Sequence, residues 1–392
     1  MFSWNKKQVL FLSAIMVLVH ILSVPLMAQA APKSASSQKY FRHIMFRESP
    51  YAPYRGIHTI SEKASQNNAH YRFSYDDNGR VSEIRYQMNN QLINGNEVWD
   101  SFIWFSPKVA ISYHKDKEIH TYYDAQNKQI SAHGKVYRAV YALDKTGKRV
   151  ALSFFDENAK PVESAWHIHR YEWRHENGKV YEKRFNLNNE QQPLRPEFTF
   201  YEVELTYDHD NKLSFVKNLG LAGTPTNNAS GAGIDRIIYD QHGNFTRWQV
   251  YDKDGNPVEG NRPMVHMGEH LYDEFGNKVG LRGYDKFGQR KAFSWGAFEH
   301  KSTYYPNGNQ KSHKIFDENA RLSRYLAIEY NQTHSHILWL KSLDEKEQLS
   351  PSPMLGGAAA LRFDYQADGG AKRTLFNRDL TKYTPKQTEP AE

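Results

Sequence analysis

The sequence predicts an all-β protein, an elongated array of antiparallel β-hairpin repeats with a period of about 33 residues, and three observations carry that prediction. The first is a recurring aromatic-Asp-turn cassette: Tyr239-Asp240-Gln241-His242-Gly243-Asn244, Tyr251-Asp252-Lys253-Asp254-Gly255-Asn256, Tyr272-Asp273-Glu274-Phe275-Gly276-Asn277, Tyr284-Asp285-Lys286-Phe287-Gly288-Gln289, Tyr305-Pro306-Asn307-Gly308-Asn309 and Phe316-Asp317-Glu318-Asn319-Ala320. Counted at the Asp position the steps are 12, 21, 12, 21 and 11 residues, so one unit carries two cassettes and one longer connection. The second is strict alternation after the turns, as in Arg80-Val81-Ser82-Glu83-Ile84-Arg85-Tyr86 and Lys148-Arg149-Val150-Ala151-Leu152-Ser153-Phe154, which puts apolar residues on one strand face. The third is a 14% aromatic content, which suits pleated, half-buried surfaces.

Taken from the N-terminus, Lys6 and Lys7 precede an apolar stretch from Val9 to Met27, and Ala28-Gln29-Ala30 forms an A-x-A site. Residues 1–30 therefore read as a secretory signal peptide, with an uncleaved membrane anchor as the other reading of the same stretch. Residues 31–40 are expected to be a linker, 41–120 an N-terminal β region with degenerate repeats, 121–383 the repeat array, and 384–392 a disordered tail. The rhythm runs backwards from Asp240 through Tyr207-Asp208, Lys217-Asn218, Phe185-Asn186, Trp173-Arg174, Phe155-Asp156, Leu143-Asp144 and Tyr123-Asp124, and Tyr75-Asp76-Asp77-Asn78-Gly79 opens it. Phe363-Asp364 through Gly369-Gly370 closes it.

Each cassette reads as a hairpin tip. The aromatic ends a half-buried strand, Asp caps the turn through nearby backbone amides, and a following Gly or Asn accepts positive φ. This gives Asp76, Asp144, Asp156, Asp208, Asp240, Asp252, Asp273, Asp285 and Asp317, with Gly243, Gly255, Gly276, Gly288 and Gly308, a structural role in the turns. An open twisted sheet and a coiled β-solenoid share this local pattern.

The cassettes resemble the degenerate tyrosine-aspartate repeats of bacterial exported proteins, related in style to Rhs/YD repeats and to MORN-like repeats. The similarity covers about residues 70 to 380. It implies a β-rich scaffold in the first case and a curved hairpin array for protein or membrane contact in the second, with no catalytic residue assigned to the repeat. At 392 residues the chain is short for a toxin-encasing shell of the Rhs type, and a separate toxin segment after its repeats is not expected.

Composition narrows the function. There is no cysteine, so thiol chemistry, disulfides and a lipidated N-terminal cysteine are excluded, and a bacterial periplasm or extracellular space is expected. The formal charge is +7, or +5 without Lys6 and Lys7, and the charges are interspersed, which gives no nucleic-acid groove. No nucleophile elbow, zinc-protease helix or phosphate loop is present. His167-Ile168-His169 and His334-Ser335-His336, with His266 and His270, have chelating spacing on a strand, but 18 histidines make such pairs common and no metal or other cofactor is expected. Asp252-Lys253-Asp254-Gly255-Asn256 fails as a calcium loop because Gly comes two positions early.

Trp166, Trp173, Trp248 and Trp295 lie in or beside predicted strands and are the candidate ligand-binding residues, since aromatic platforms hold sugars or extended peptides. The expected function is an exported, non-enzymatic repeat protein that offers an aromatic and polar face to an envelope protein or polysaccharide. The alternative is an envelope glycan hydrolase with carboxylates or histidines in segments 41–120 and 322–362.

Overall fold

A computed structural model describes residues 37–93, 106–366 and 370–384. The signal-peptide reading, most of the expected linker and most of the expected tail lie outside the described residues. Twenty-four strands are described, with one short helix and one 3-10 turn, and antiparallel pairing joins all the strands into a single sheet. The sheet is open: the described pairings leave its two outermost strands unpaired with each other.

The chain enters through β1 (Gln38–Ile44), which begins within the expected linker, then β2 (Gly56–Ile60), α1 (Glu62–Ser65), β3 (His70–Tyr75) and β4 (Val81–Met88). β1 pairs with both β2 and β3, so β2 is one outer strand. From β3 onward neighbouring long strands follow chain order, up to Ala360–Tyr365 paired with Ala371–Phe376 at the far end.

From Asp76 to Asp317 the aspartate cassettes share one geometry. In Asp240 the backbone N–H donates to Asn244 O (3.0 Å), Gly243 N–H donates to Asp240 O (3.1 Å), and Oδ1 accepts from His242 and Asn244 N–H at 2.9 Å each. The fourth position has positive φ, 88° at Gly243, 62° at Asn127 and 61° at Ala159, and the register slips by one residue beside the tip. This is a three-residue hairpin loop closed by a bulge. Asp252, Asp273, Asp285 and Asp317 repeat the two side-chain bonds. Trp173-Arg174 is a correction: it lies within the strand Arg170–Glu176, and the turn there is the two-residue Asn177-Gly178, both at positive φ.

The alternating steps place successive cassettes at opposite ends of the strands. Asp76, Asp144, Asp208, Asp240, Asp273 and Tyr305 make tight hairpin tips on what we call the hairpin rim. Asp124, Asp156, Asn186, Asp252, Asp285, Asp344 and Asn377 open the connection rim, where a second small turn usually follows before the next strand. Tyrosines stitch repeats together: Tyr113, Tyr272 and Tyr304 donate their hydroxyls to Val81 O (3.0 Å), Phe245 O (2.9 Å) and Lys278 O (2.8 Å), each just beyond the preceding hairpin tip.

The fifth cassette position sets the later hairpin tips apart from the other turns. Asn244, Asn277 and Asn309 on the hairpin rim are buried, whereas Arg80 and Lys148 on the same rim, and Asn256 and Gln289 on the connection rim, are exposed. The reason is that the N-terminal segment lies against these hairpin tips: Asn244 Oδ1 bonds the ring nitrogen of His58 in β2 (2.8 Å), and Ala69 N–H, just ahead of β3, donates to Asn307 O (2.9 Å), while Arg55 donates to Asp210 O at the neighbouring tip (2.8 Å). Asp252→Ala should lower stability by about 1 kcal/mol, as loss of a capping side chain does. Asp240→Ala should cost more, because it also frees the buried Asn244; urea denaturation of the two variants checks the order.

Candidate binding rim

One face of the sheet is covered by the chain itself. Between β1 and β2, residues 45–52 and Tyr54 pack against that face, with Arg47, Ser49 and Tyr54 buried, before the chain emerges at Arg55. This irregular segment cannot satisfy its polar groups by strand pairing, so buried side chains of the surrounding strands do so. Arg149 donates to the carbonyls of Pro50 and Tyr51, both at 2.9 Å, packs 4.1 Å from the Tyr141 ring and pairs with Glu118. Glu118 also binds His120 Nε2 at 2.6 Å. Ser49 Oγ donates to Glu182, which further accepts from Trp173 Nε1 (2.8 Å) and Arg184 (2.5 Å). Glu48 pairs with Arg195 at 2.9 Å, and Arg47 donates to Ala52 O (2.8 Å) with its guanidinium 3.7 Å from the Tyr54 ring centre.

These carboxylates are committed to internal partners. Burial pushes Glu118 up, but the His120 and Arg149 bonds outweigh it and hold the group down at about 2. Burial lowers His120 in turn. A depressed carboxyl contributes stability that is complete above its unfolded value near 4.5 and is lost as pH falls toward 2. Glu118→Gln leaves Arg149 buried without its counter-ion and should cost roughly 3 kcal/mol at neutral pH. The gap to the parent should narrow between about pH 4.5 and 2 in a pH series of denaturation midpoints.

The four tryptophans do not form one strip. Trp173 is 5% exposed and belongs to the core. Trp248 covers Gly268, where a Cβ would lie 1.9 Å from the indole, and it stacks with Phe293. Trp166 is half-buried, edge-on to His133 at 4.7 Å. Trp295 alone is exposed, at 45%, stacked on Phe293 with centroids 4.7 Å apart. The turn aspartates sit at the tips. His167 and His334 lie in turns at φ 58° and 56°, so neither histidine pair lies on one strand face. Among the described residues no group of three His, Asp or Glu is placed to hold a metal.

What the tryptophan reading missed is a rim. Among the described residues eight large apolar side chains are exposed, and seven of them, Leu187, Leu221, Met264, Phe287, Trp295, Met354 and Leu380, project from connection-rim loops. Phe287 is 77% and Leu221 65% exposed. Phe275, the eighth, is on the hairpin rim with Arg42 4.8 Å above its ring. Neighbouring connection loops touch: Ser294 N–H donates to Pro263 O (3.0 Å) and Asn261 N–H to Ser230 Oγ (2.7 Å), so the three loops that carry Leu221, Met264 and Trp295 form a ladder. Arg262 bridges Glu197 and the Trp295 ring. An apolar residue inside a turn cassette, as in Asp285-Lys286-Phe287-Gly288, was the available signal, and the step pattern tells which end of the strand it marks.

No protein-family model matches the chain, and a search of curated proteins finds no match. Among solved structures it is similar to the TcdB2-TccC3-TEV crystal structure at 10% identity and TM-score 0.25, over 79% of this chain and 17% of that one. It is similar to a Photorhabdus luminescens Tc holotoxin pore at 10% identity and TM-score 0.21, over 86% and 22% of the two chains. A porin-like protein from Bacteroides vulgatus matches at 9% identity and TM-score 0.22, over 67% of this chain and 93% of that one. This chain thus spans less than a quarter of the two toxin chains. With scores this low, the reading of the site rests on the geometry of the chain itself.

Proposed function

We propose that this is an exported, non-enzymatic β-repeat protein that holds a protein partner at the cell envelope through its connection rim. The observation that carries the reading is the concentration of exposed apolar side chains on that rim, since contiguous exposed apolar surface marks interaction sites. Export is supported by the N-terminal basic, apolar and A-x-A sequence. A protein fits better than a glycan because Leu187, Leu221, Met264, Met354 and Leu380 offer no ring face to a sugar, and only Phe287 and Trp295 do. A binding role is further supported by the interior, where Glu118 and Glu182 are engaged by arginines beneath the covering segment.

The test is a pull-down with residues 31–392 against solubilised envelope protein, with insoluble peptidoglycan and outer-membrane polysaccharide assayed separately. The reading predicts a stoichiometric protein partner whose binding falls at least about tenfold in the Phe287→Ser, Trp295→Ser double variant, since each buried ring is worth roughly 1.5–3 kcal/mol. Glycan retention, or protein binding indifferent to the double variant, overturns it.

A further inference from the structure

The two ends of the sheet are not alike. β2 is covered by hairpin tips, with His58 bonded to Asn244 and a Cβ at Gly276 lying only 2.3 Å from the His58 ring. The last strand, Ala371–Phe376, pairs with Ala360–Tyr365, and among the described residues no strand lies on its other side. Such an edge presents unpaired backbone groups.

The repeat shows what belongs there. Two residues before each connection-rim Asp, one carbonyl accepts from the returning chain: Phe154 O from Val162 N–H (3.1 Å), Val250 O from Val258 N–H (3.1 Å), Ser342 O from Ser350 N–H (2.9 Å). The amide of the same residue then donates to the residue just ahead of the next strand: Phe154 to His169 O (3.1 Å), Val250 to His266 O (2.8 Å), Ser342 to Ala359 O (2.8 Å). The next strand pairs with the three residues upstream, as Ser153, Leu152 and Ala151 do with Arg170, Tyr171 and Glu172. At the terminal strand the first half of this set is built: Asn377 N–H donates to Thr381 O (2.8 Å) and Tyr383 N–H to Leu375 O (2.9 Å). Thr374, Arg373 and Lys372 therefore occupy the positions at which an incoming strand pairs.

Those residues also specify its charge. Leu152, Trp248, Leu281 and Leu340 hold the position taken here by Arg373, so a cation stands on the core-facing side. Lys372 stands where Arg247 meets Glu269 of the following strand at 3.3 Å. Both are exposed. An inward charge on an edge strand blocks indiscriminate pairing and admits only a partner that neutralises it. A second copy does not fit. Two-fold antiparallel pairing centred on Arg373 sets like charges opposite each other, and centring on Thr374 requires the Leu375 carbonyl that Tyr383 already uses. The following sequence carries Pro385 and Pro390, which cannot donate to a ladder.

We propose that Ala371–Phe376 is an acceptor edge for an extended segment of another protein, added antiparallel, with carboxylates opposite Lys372 and Arg373. This surface is separate from the connection rim and stands or falls independently of it. The probe is a labelled, acetylated hexapeptide, Ile-Thr-Glu-Glu-Thr-Val, compared with its Lys-Lys counterpart by fluorescence anisotropy on residues 31–392. Saturable binding of the glutamate peptide is expected, at least about tenfold tighter than the lysine peptide. The double variant Lys372→Glu, Arg373→Glu, at exposed positions, should reverse that preference, and Phe287→Ser should leave it unchanged. Absence of saturable binding up to roughly 1 mM, or binding indifferent to peptide charge or to the reversal, overturns the proposal.

Discussion

The rest of this fold is arranged around the burial of residues 45–52 and Tyr54 against one face of the sheet. A sheet of half-buried strands needs cover for its apolar face, and here the cover is an irregular stretch of the same chain. Its carbonyls and side chains enter a region from which water is excluded, so they must be met by donors carried on the strands. Arg149 reaches the carbonyls of Pro50 and Tyr51, and Glu182 receives Ser49. Each buried ion is in turn neutralised, Arg149 by Glu118 and Glu182 by Arg184, because an unpaired charge at such depth would be far more costly than the pair.

The same segment makes the two rims unequal. On leaving the interior it becomes β2, and β2 meets the hairpin tips of later repeats, where Asn244 and Asn277 are buried. Tyr239 donates to Phe46 O at 3.3 Å, so the segment stands where a preceding repeat serves Tyr272 and Tyr304. Phe46 stacks on Phe245 at 4.4 Å in the same contact. With the hairpin rim engaged in this way, the exposed apolar side chains collect on the opposite rim.

Much of the local structure was legible in the sequence because it is set by neighbours in the chain. The Asp of each cassette bonds amides two and four residues on, and positive φ falls at the fourth position, so Tyr-Asp-x-x-Gly-Asn announces its own turn. The 12 and 21 steps likewise announce strand length and the longer connection. What was not legible depends on distant partners. Asn244 and Asn256 sit in nearly identical cassettes, yet only the first is buried, because β2 packs over it. Trp173 reads like any strand tryptophan until Glu182 is found beneath its indole nitrogen. Glu118 and Arg149 lie 31 residues apart and carry no local sign of being paired. The rim was half legible: Phe287 inside a turn was visible, but its grouping with Met264 and Trp295 needed the stacking of successive loops.

The most direct test of this account is backbone hydrogen exchange followed by mass spectrometry on peptides covering residues 45–60 of the intact protein. If the segment is the interior cover, its amides exchange as slowly as those of the strands Arg149–Phe155 and Lys179–Phe185. Exchange at the rate of the connection loops, with those strands still protected, would mean that the sheet stands without it and would contradict the central claim.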